Sequence, residues 1–265
     1  VSDVMQVTYR EEESLQQREI RGFMENWSNL LSVPPVYDSL MKKRFQEICV
    51  SPQRINFDVP VKQERGEYRW HRMFLSSIAG EDNSVMRVVG RMFDVHKDVL
   101  ERLAAEERAM RDQMTGLYNK VSGEMEVRRK LITMGPGRCA MCMFDLDNFK
   151  YINDNFGHAF GDNVLRKIAK LLEKVFPNDA ILIRFGGDEF LAFLSDGEWD
   201  AMELAEQFRS ELAAWDNGKC QVTCSIGVVC SYKHNFGRLF NLADQTMYQA
   251  KQTGKSRCVF YEDKA

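Results

Sequence analysis

Hydrophobic and polar positions divide the chain into three stretches of different texture. In residues 1–96, short strand-like runs surround a helical middle. The runs 66–78 and 84–94 are rich in aromatic and β-branched residues, and the polar segment 79–83 between them is typical of a turn. This pattern predicts a long antiparallel hairpin.

The second stretch, Val95–Met114, contains no glycine or proline and is dominated by Glu, Arg, Ala and Leu, which predicts a helix. Four apolar residues repeat at spacings that fit a coiled-coil seam, which Glu107 interrupts. They are Leu100, Leu103, Met110 and Met114. Two interpretations stay open: a solvated connecting helix that lies against one domain, or a helix that pairs with a second copy of the chain.

The third stretch begins at Thr115 and alternates strand and helix patterns. The order βαββαβ, followed by one more strand, predicts an antiparallel sheet with helices on one face, a ferredoxin-like arrangement. The predicted strands lie near 139–145, 180–185, 189–194, 221–229 and 257–261, and the predicted helices near 118–133, 161–175, 199–214 and 238–252.

Composition places the chain among soluble, globular proteins. Of its 265 residues 44% are apolar and 28% charged, which predicts one large domain or two of ordinary size. A net charge of only −3 is no reason to expect nucleic acid or an anionic membrane as a partner. No apolar run approaches the roughly 20 residues that span a bilayer. The chain opens on Val1 rather than Met, which leaves room for sensor or membrane domains upstream.

The cysteines number seven, which is odd. Cys139 and Cys142 form a C-x-x-C, a spacing that also suggests a redox or zinc pair. They lie in the apolar run 138–145, which predicts a buried strand, and odd spacing on a strand places two side chains on opposite faces. We therefore interpret them as free core thiols, which implies a reducing, cytoplasmic compartment.

An apolar strand ends in two carboxylates, Asp145 and Asp147, in the segment Phe144–Lys150. Acids at the end of a buried strand are costly unless a positive charge compensates them. A hard cation such as Mg²⁺ takes oxygen ligands and keeps sites open for a substrate phosphate. The alternative is a helix cap or a surface turn.

Two further acids, Asp188 and Glu189, follow Gly186-Gly187 between two predicted strands. We expect a two-residue hairpin turn in which the glycines supply positive φ angles. If this hairpin lies beside the strand that ends at Asp145, the acids converge on one point. Metal-assisted phosphoryl transfer needs such a point.

A polar, glycine-bearing loop is predicted over 152–162, leading into an amphipathic helix. Asn153 and Asp162 suit guanine, because a carboxylate accepts from its ring N–H and exocyclic amine while an amide complements the remaining edge. Alternatively, Asp162 only favours the helix N-terminus.

Three segments in order along the chain resemble the GGDEF family of diguanylate cyclases: Asp112–Lys120, Phe144–Asp162 and Gly186-Gly-Asp-Glu-Phe190. The similarity runs from about Asp112 to the C-terminus. It implies an α+β chain whose second half is a ferredoxin-like (βαββαβ) nucleotidyl-cyclase-type domain. It also implies a bacterial signalling enzyme that joins two GTP molecules into cyclic di-GMP and releases two pyrophosphates.

The resemblance also implies residue roles. Asp188 and Glu189 form the catalytic pair, and Glu189 either joins a second metal position or helps to deprotonate the attacking 3′-hydroxyl. The metal, Mg²⁺ or Mn²⁺, is held by Asp145, the backbone carbonyl of Leu146, Asp188 and Glu189. The substrate-binding residues are Lys150, Asn153, His158, Asp162, Lys251 and Lys255. The last of these is often Arg in the family, and Lys keeps the charge but not the bidentate phosphate contact.

Regulation and assembly follow from the same resemblance. Many relatives carry an Arg-x-x-Asp product-inhibition site, which here is Phe176-Pro-Asn-Asp179, without the arginine. We therefore expect weak or absent product inhibition. Because one such domain binds one GTP, ring closure requires a two-fold homodimer.

The front stretch resembles a PAS sensor, through the 66–94 hairpin with Trp70 and Gly90. We predict a PAS-like domain over 1–96, a linker helix over 97–114 and the cyclase domain over 115–265. Trp27, Trp70 and His71 either line a ligand pocket or, as we prefer, pack as ordinary sheet residues. No feature identifies a ligand. Two other hypotheses remain: a catalytically inactive module that binds GTP or cyclic di-GMP, and a PAS-like half that only dimerises.

Overall fold

The computed structural model describes residues 4–11, 14–21, 32–63, 66–195 and 197–263. The chain divides into two compact units, Val1–Ala104 and Ala105–Ala265. We describe each unit by itself.

The first unit contains, in its described part, two separate antiparallel sheets, one complete α-helix and the beginning of a second. Strands β1 and β2 pair with each other, and strands β3, β4 and β5 form a sheet in that order. The bounds are β1 Val4–Glu11, β2 Ser14–Arg21, α1 Asp38–Val50, β3 Arg54–Lys62, β4 Tyr68–Ala79 and β5 Val85–Asp94. A 3-10 turn, Pro35–Tyr37, precedes α1.

Helix α1 packs on one face of the three-stranded sheet. Met41, Phe45 and Ile48, spaced as one face of a helix, are buried against β3 and β4. The predicted long hairpin is confirmed, since β4 pairs with β5 from His71–Asp94 to Ala79–Val85. Trp70 packs edge-on against Tyr37, with ring centroids 6.0 Å apart, whereas Trp27 lies outside the described residues.

Helix α2, His96–Met110, begins where the Asp94 carboxylate accepts from the His96 backbone N–H. Val99 is buried, but Leu100 and Leu103 of the predicted seam are 48% and 46% exposed. The helix ends four residues before the predicted end. The chain turns back after Met110, and the Asp112 N–H donates to the Leu117 carbonyl.

The second unit is built on a six-stranded sheet in the order β11-β10-β7-β9-β8-β6. Its strands are β6 Tyr118–Asn119, β7 Cys139–Leu146, β8 Ile181–Arg184, β9 Glu189–Ser195, β10 Cys224–Ser231 and β11 Cys258–Asp263. The four inner strands, β10-β7-β9-β8, are antiparallel and match the predicted βαββαβ order. The edge pairs β10–β11 and β6–β8 are parallel, so the sheet is mixed rather than antiparallel as predicted.

The helices cover both faces of this sheet, not one face as predicted. They are α3 Lys120–Thr133, α4 Phe149–Phe156, α5 His158–Val175, α6 Ala201–Ala213 and α7 Phe236–Gln252. Helices α5 and α6, from the βαββαβ core, pack on one face, and α3 and α7 pack on the other. The reason is visible in β7, where all eight residues are buried, so that both faces need a cover.

All seven cysteines are free thiols. Cys139 packs with α3 and α7 and Cys142 with α5 and α6, so the two thiols point to opposite faces of β7, as predicted. In the described part of the chain, no helix has the length and apolar character needed to cross a bilayer.

The predicted loop over 152–162 is wrong. Helix α4 runs through its first half, and α5 begins directly after Gly157, whose φ is +81°. This left-handed residue ends α4 and starts α5 without an intervening loop.

Candidate active site

The site lies at the end of β7, where the chain leaves the central strand. Asp145 pairs with Ser225 of β10 on one side and with Glu189 of β9 on the other. The Leu146 N–H donates to the Asp188 carbonyl at 3.2 Å. The strand pairing thus brings together the four residues predicted to hold a metal.

The hairpin between β8 and β9 differs from the predicted two-residue turn. Arg184 pairs with Phe190, and the Phe185 N–H donates to the Glu189 carbonyl at 2.8 Å, so that four residues form the tip. Neither Gly186 nor Gly187 has a positive φ. A Cβ at Gly186 would lie 2.6 Å from a carboxylate oxygen of Glu189, so a side chain there would displace that carboxylate.

Two acids of the site are harder to ionise than usual. Burial raises the pKa of Asp145, and the charges of Asp188 and Asp147 add to this effect, while Lys251 opposes it. Burial likewise raises the pKa of Glu189, with contributions from Asp145 and Asp188. The site therefore concentrates negative charge that a cation would stabilise.

Lys251, in the last turn of α7, supplies one such cation. Its Nζ lies 2.6 Å from Oδ2 of Asp145, and both side chains are largely buried. A residue predicted to contact phosphate is thus paired with a residue predicted to hold the metal.

Lys255 also reaches the end of β7. Its Nζ donates to Oδ1 of Asn148 at 2.8 Å, across 107 residues of sequence. Both predicted phosphate-binding residues of the C-terminal segment therefore lie beside the predicted metal ligands.

The residues predicted to bind guanine lie on two adjoining helices. Asn153 is in α4 and Asp162 is in the first turns of α5, and both are half-buried. The backbone at Gly161 comes so close to the Asn153 amide that any side chain there would collide with its oxygen. Lys150 and His158 begin the same two helices and are exposed.

The sequence indicated Asp147, beside Asp145, as an acid that a hard cation would compensate, and it assigned no role to Arg184. Asp147 accepts hydrogen bonds from Thr223 and Ser225, and neither of its oxygens is free for a metal. Arg184 donates to the Asp112 carboxylate at 3.1 Å and to the Gly187 carbonyl at 2.9 Å, so it holds the hairpin tip. Two sequence features could have indicated these contacts: the hydroxyl residues Thr223 and Ser225 in a predicted strand, and Arg184 two residues before the glycines.

The donor chemistry suits a hard divalent cation, since carboxylates and a backbone carbonyl meet where burial disfavours negative charge. Within the described ranges, no three His, Cys, Asp or Glu side chains are already arranged to hold a metal ion. Lys251 is the partner of Asp145 instead. The residues fit a metal by their chemistry, with Lys251 as the group that must give way.

Comparison with known families gives one match that spans more than half of the chain. The family model described as "Diguanylate cyclase, GGDEF domain" matches residues 109–257.

Individual relatives match more than half of the chain. Diguanylate cyclase DgcP of Pseudomonas aeruginosa is 35% identical over 161 residues, which is 57% of this chain and 24% of that protein. Cyclic di-GMP phosphodiesterase PdeR of Escherichia coli is 33% identical over 174 residues, which is 62% of this chain and 26% of that protein. The chain spans about a quarter of the length of these two relatives.

Among solved structures, a similar one is the crystal structure of the diguanylate cyclase SiaD in complex with its activator SiaC from Pseudomonas aeruginosa. It superposes with a TM-score of 0.56 at 30% identity and covers 62% of this chain and 67% of that chain.

Proposed function

The chain belongs to the GGDEF domain family of diguanylate cyclases, and from that premise we propose that it condenses two GTP molecules into cyclic di-GMP. In each half-reaction, the 3′-hydroxyl oxygen of one GTP attacks the α-phosphorus of the other. A P–O bond forms, pyrophosphate leaves, and the hydroxyl loses its proton. Two such steps close the ring and release two pyrophosphates.

The observation that carries this proposal is the meeting of Asp145, Asp188 and Glu189 at one strand end beside Lys251. Asp145, the Leu146 carbonyl, Asp188 and Glu189 would hold Mg²⁺ or Mn²⁺. Such an ion, when bound, neutralises phosphate charge and favours ionisation of the attacking hydroxyl. An acid with a raised pKa is also a better proton acceptor, so Glu189 is suited to help remove the hydroxyl proton.

In this proposal, residues of α4 and α5 and residues at the end of α7 bind the substrate. The Asp162 carboxylate accepts from the ring N–H and the exocyclic amine of guanine, and the Asn153 amide complements the remaining edge. Asp162 therefore favours GTP over ATP. Lys251 and Lys255 bind the phosphates from the α7 side, and Lys150 and His158 approach from the first turns of α4 and α5. When Lys251 moves to a phosphate, the Asp145 carboxylate becomes available as a metal ligand.

The active species in this proposal is a homodimer, because one domain binds one GTP and two must face each other. The α2 helix sets the relative position of two cyclase domains. We further propose that residues 1–96 form a PAS-like sensor, 97–114 the linker and 115–265 the cyclase domain. Support comes from the β4–β5 hairpin, which leads through Asp94 into α2.

Two roles are open for the front unit, a ligand sensor and a ligand-free dimerisation scaffold. A small molecule extracted from purified protein would separate them. The free thiols agree with the reducing, cytoplasmic compartment that we propose. Without the arginine of Arg-x-x-Asp, we expect cyclic di-GMP to inhibit the enzyme weakly or not at all through the Phe176–Asp179 surface.

The deciding experiment is incubation with GTP and Mg²⁺, followed by chromatography for cyclic di-GMP. Asp188→Asn is expected to abolish the product while the far-UV circular dichroism stays unchanged. Glu173→Gln, on the exposed side of α5, is the matched control and is expected to keep full activity. Absence of product at every protein concentration would contradict the proposal and favour an inactive nucleotide-binding module.

A further inference from the structure

Asp147 follows β7 and is buried, with 6% of its surface exposed. Its Oδ1 accepts from the Ser225 hydroxyl at 2.7 Å. Its Oδ2 accepts from the Thr223 hydroxyl at 2.8 Å and from the backbone N–H of Ser256 at 2.9 Å. A carboxylate with three donors is fully used inside the protein, so its task differs from that of Asp145, two residues earlier.

The Ser256 N–H belongs to a strained segment. Gly254, Lys255 and Ser256 have φ angles of +122°, +59° and +49°, and the last two are not glycine. A non-glycine residue in this region is unfavourable unless neighbouring contacts hold it. A strained turn that persists directly before β11 therefore has specific anchors.

The turn donates three hydrogen bonds to the rest of the protein, two of which reach the end of β7, while Arg209 and Arg257 donate to the carbonyls of Ser256 and Lys255. The Lys255 N–H donates to the Ala250 carbonyl at 3.0 Å, which closes the end of α7. The Ser256 N–H donates to Asp147, and Lys255 Nζ donates to the adjacent Asn148. Two consecutive residues at the strand end, Asp147 and Asn148, thus accept hydrogen bonds from two consecutive residues of the turn.

We propose that Asp147 is a positioning residue that holds the 254–256 turn in its left-handed conformation, so that Lys255 faces the metal-binding end of β7. The inference rests on the proposed function, in which Lys255 contacts the phosphates of GTP. Asp147 acts through Lys255 and does not touch the substrate itself.

The chemistry of Asp147 suits this role better than an amide would. The carboxylate accepts all three hydrogen bonds at once, and bonds to a charged acceptor are stronger than those to a neutral one. Thr223 and Ser225 hold the carboxylate from the β10 side. The backbone of the turn is therefore fixed to the sheet at a defined place.

The test is a double-mutant cycle between Asp147→Ala and Lys255→Met, with KM and kcat measured for GTP. Each single variant is expected to lower kcat/KM on the order of tenfold, mainly through KM. If Asp147 acts through Lys255, the double variant is no worse than the worse single variant. Asp200→Ala is the matched control, because Asp200 is also a carboxylate that accepts backbone N–H groups, those of Met202 and Glu203, but it does so at the start of α6 rather than at the strand end that carries the site. It is expected to leave KM unchanged.

Hydrogen exchange gives a readout that does not depend on turnover. The amide of Ser256 is expected to exchange faster in Asp147→Ala than in the wild type, and to keep its wild-type rate in Asp200→Ala. Effects of the two single variants that multiply in the double variant, or an unchanged Ser256 exchange rate in Asp147→Ala, would overturn the inference.

The test also works if the Asp147→Ala variant does not fold or if the wild type makes no product. If Asp147→Ala does not fold, Asp147→Asn replaces it in the cycle, and the same non-additive pattern is expected with smaller changes. If the wild type makes no cyclic di-GMP, the proposed function fails, and GTP binding by equilibrium dialysis takes the place of KM. Roughly tenfold weaker binding in Asp147→Ala supports the inference, and unchanged binding overturns it.

Discussion

At the scale of single residues, the acids of the site oppose folding. Asp145 and Glu189 face each other across β7 and β9, and burial raises the pKa of both carboxyl groups. A carboxyl with a raised pKa in the folded state binds more protons than it does when unfolded. Its contribution to the free energy of unfolding therefore falls as the pH rises from the usual carboxylate range through the raised pKa. The full cost is present only at pH values above the raised pKa.

Glu189→Gln is expected to stabilise the metal-free protein. Because Glu189 is partly solvated, we expect an increase in Tm of only about 2 °C at pH 7, and none near pH 4. Thermal unfolding followed by circular dichroism in EDTA measures the difference. Adding Mg²⁺ should narrow the gap, since the wild type gains a counter-ion. A lower Tm for Glu189→Gln at pH 7 would contradict this explanation.

At the scale of elements, α4 and α5 approach each other closely at Gly161, a residue that has no side chain. Gly161 lets the α5 backbone approach the amide of Asn153. The adjacent Asp162 is thereby brought near Asn153, which is the arrangement proposed for guanine recognition.

Gly161→Ala is expected to displace Asn153 and raise KM for GTP on the order of tenfold, with a smaller change in kcat. Gly237→Ala is the matched control, because this glycine is also in a helix but a Cβ there would lie 3.6 Å from its nearest neighbouring atom, Oδ1 of Asn235, which is an ordinary contact. Steady-state kinetics with varied GTP checks both variants. An equal KM for the two would show that the close approach has no part in substrate binding.

A second contact between elements is the ion pair of Asp112 and Arg184, which joins the segment after α2 to the β8–β9 hairpin. Burial alone would raise the pKa of Asp112, but hydrogen bonds from Thr115 and Arg184 outweigh it and lower the pKa. This stabilisation is present above the usual carboxylate range and is lost as the pH falls through the lowered pKa.

Arg184→Met is expected to lower the free energy of unfolding by about 2 kcal/mol at pH 7, because it leaves a partly buried acid without its partner. The loss should shrink below about pH 4, where Asp112 is protonated in the unfolded chain. Arg129→Met, which removes a surface ion pair with Glu126 on α3, should cost no more than about 0.5 kcal/mol. Urea unfolding at both pH values measures these differences.

Periodicity predicts the elements of this protein well where one pattern dominates. The hairpin of β4 and β5 and the buried strand β7 follow from runs of apolar residues. Helix α4 was missed because its polar residues and the following glycine resemble a loop. The faces of the sheet were misjudged because the sequence does not say which helices pack against which side of β7.

The site was predicted where motifs are local and missed where contacts are distant. Asp145, Asp188 and Glu189 stand beside recognisable strands and glycines. The ion pair of Lys251 with Asp145 spans 106 positions of sequence, and no local pattern specifies it. The glycines of the hairpin were assigned to backbone geometry, whereas Gly186 makes room for a carboxylate.

At the scale of the whole molecule, the proposed reaction requires two copies of the chain. Helix α2 exposes Leu100 and Leu103 at the spacing of a pairing seam. Exposed leucines at this spacing are what the paired interpretation of the helix requires, whereas Met114 of the predicted seam packs against the core of the second unit.

Specific activity is therefore expected to rise with protein concentration. The double variant Leu100→Glu/Leu103→Glu should shift this dependence to roughly tenfold higher concentration. Ile132→Glu is the control, because Ile132 is 83% exposed on α3 outside the seam. Analytical ultracentrifugation beside the activity assay tests both. Dimers of unchanged affinity in the double variant would assign pairing to another surface.

The buried and partly buried thiols of the second unit have a practical consequence. Burial raises the pKa of Cys142 and Cys224, and burial together with Glu206 raises that of Cys258 to about 12. A thiol reacts with alkylating reagents as its thiolate, which such residues scarcely form near neutrality. These thiols do not react while the strands are paired, and they become alkylated once the strands separate. The fraction of these thiols that is alkylated during a short reagent pulse, measured by mass spectrometry, therefore reports how often the sheet opens.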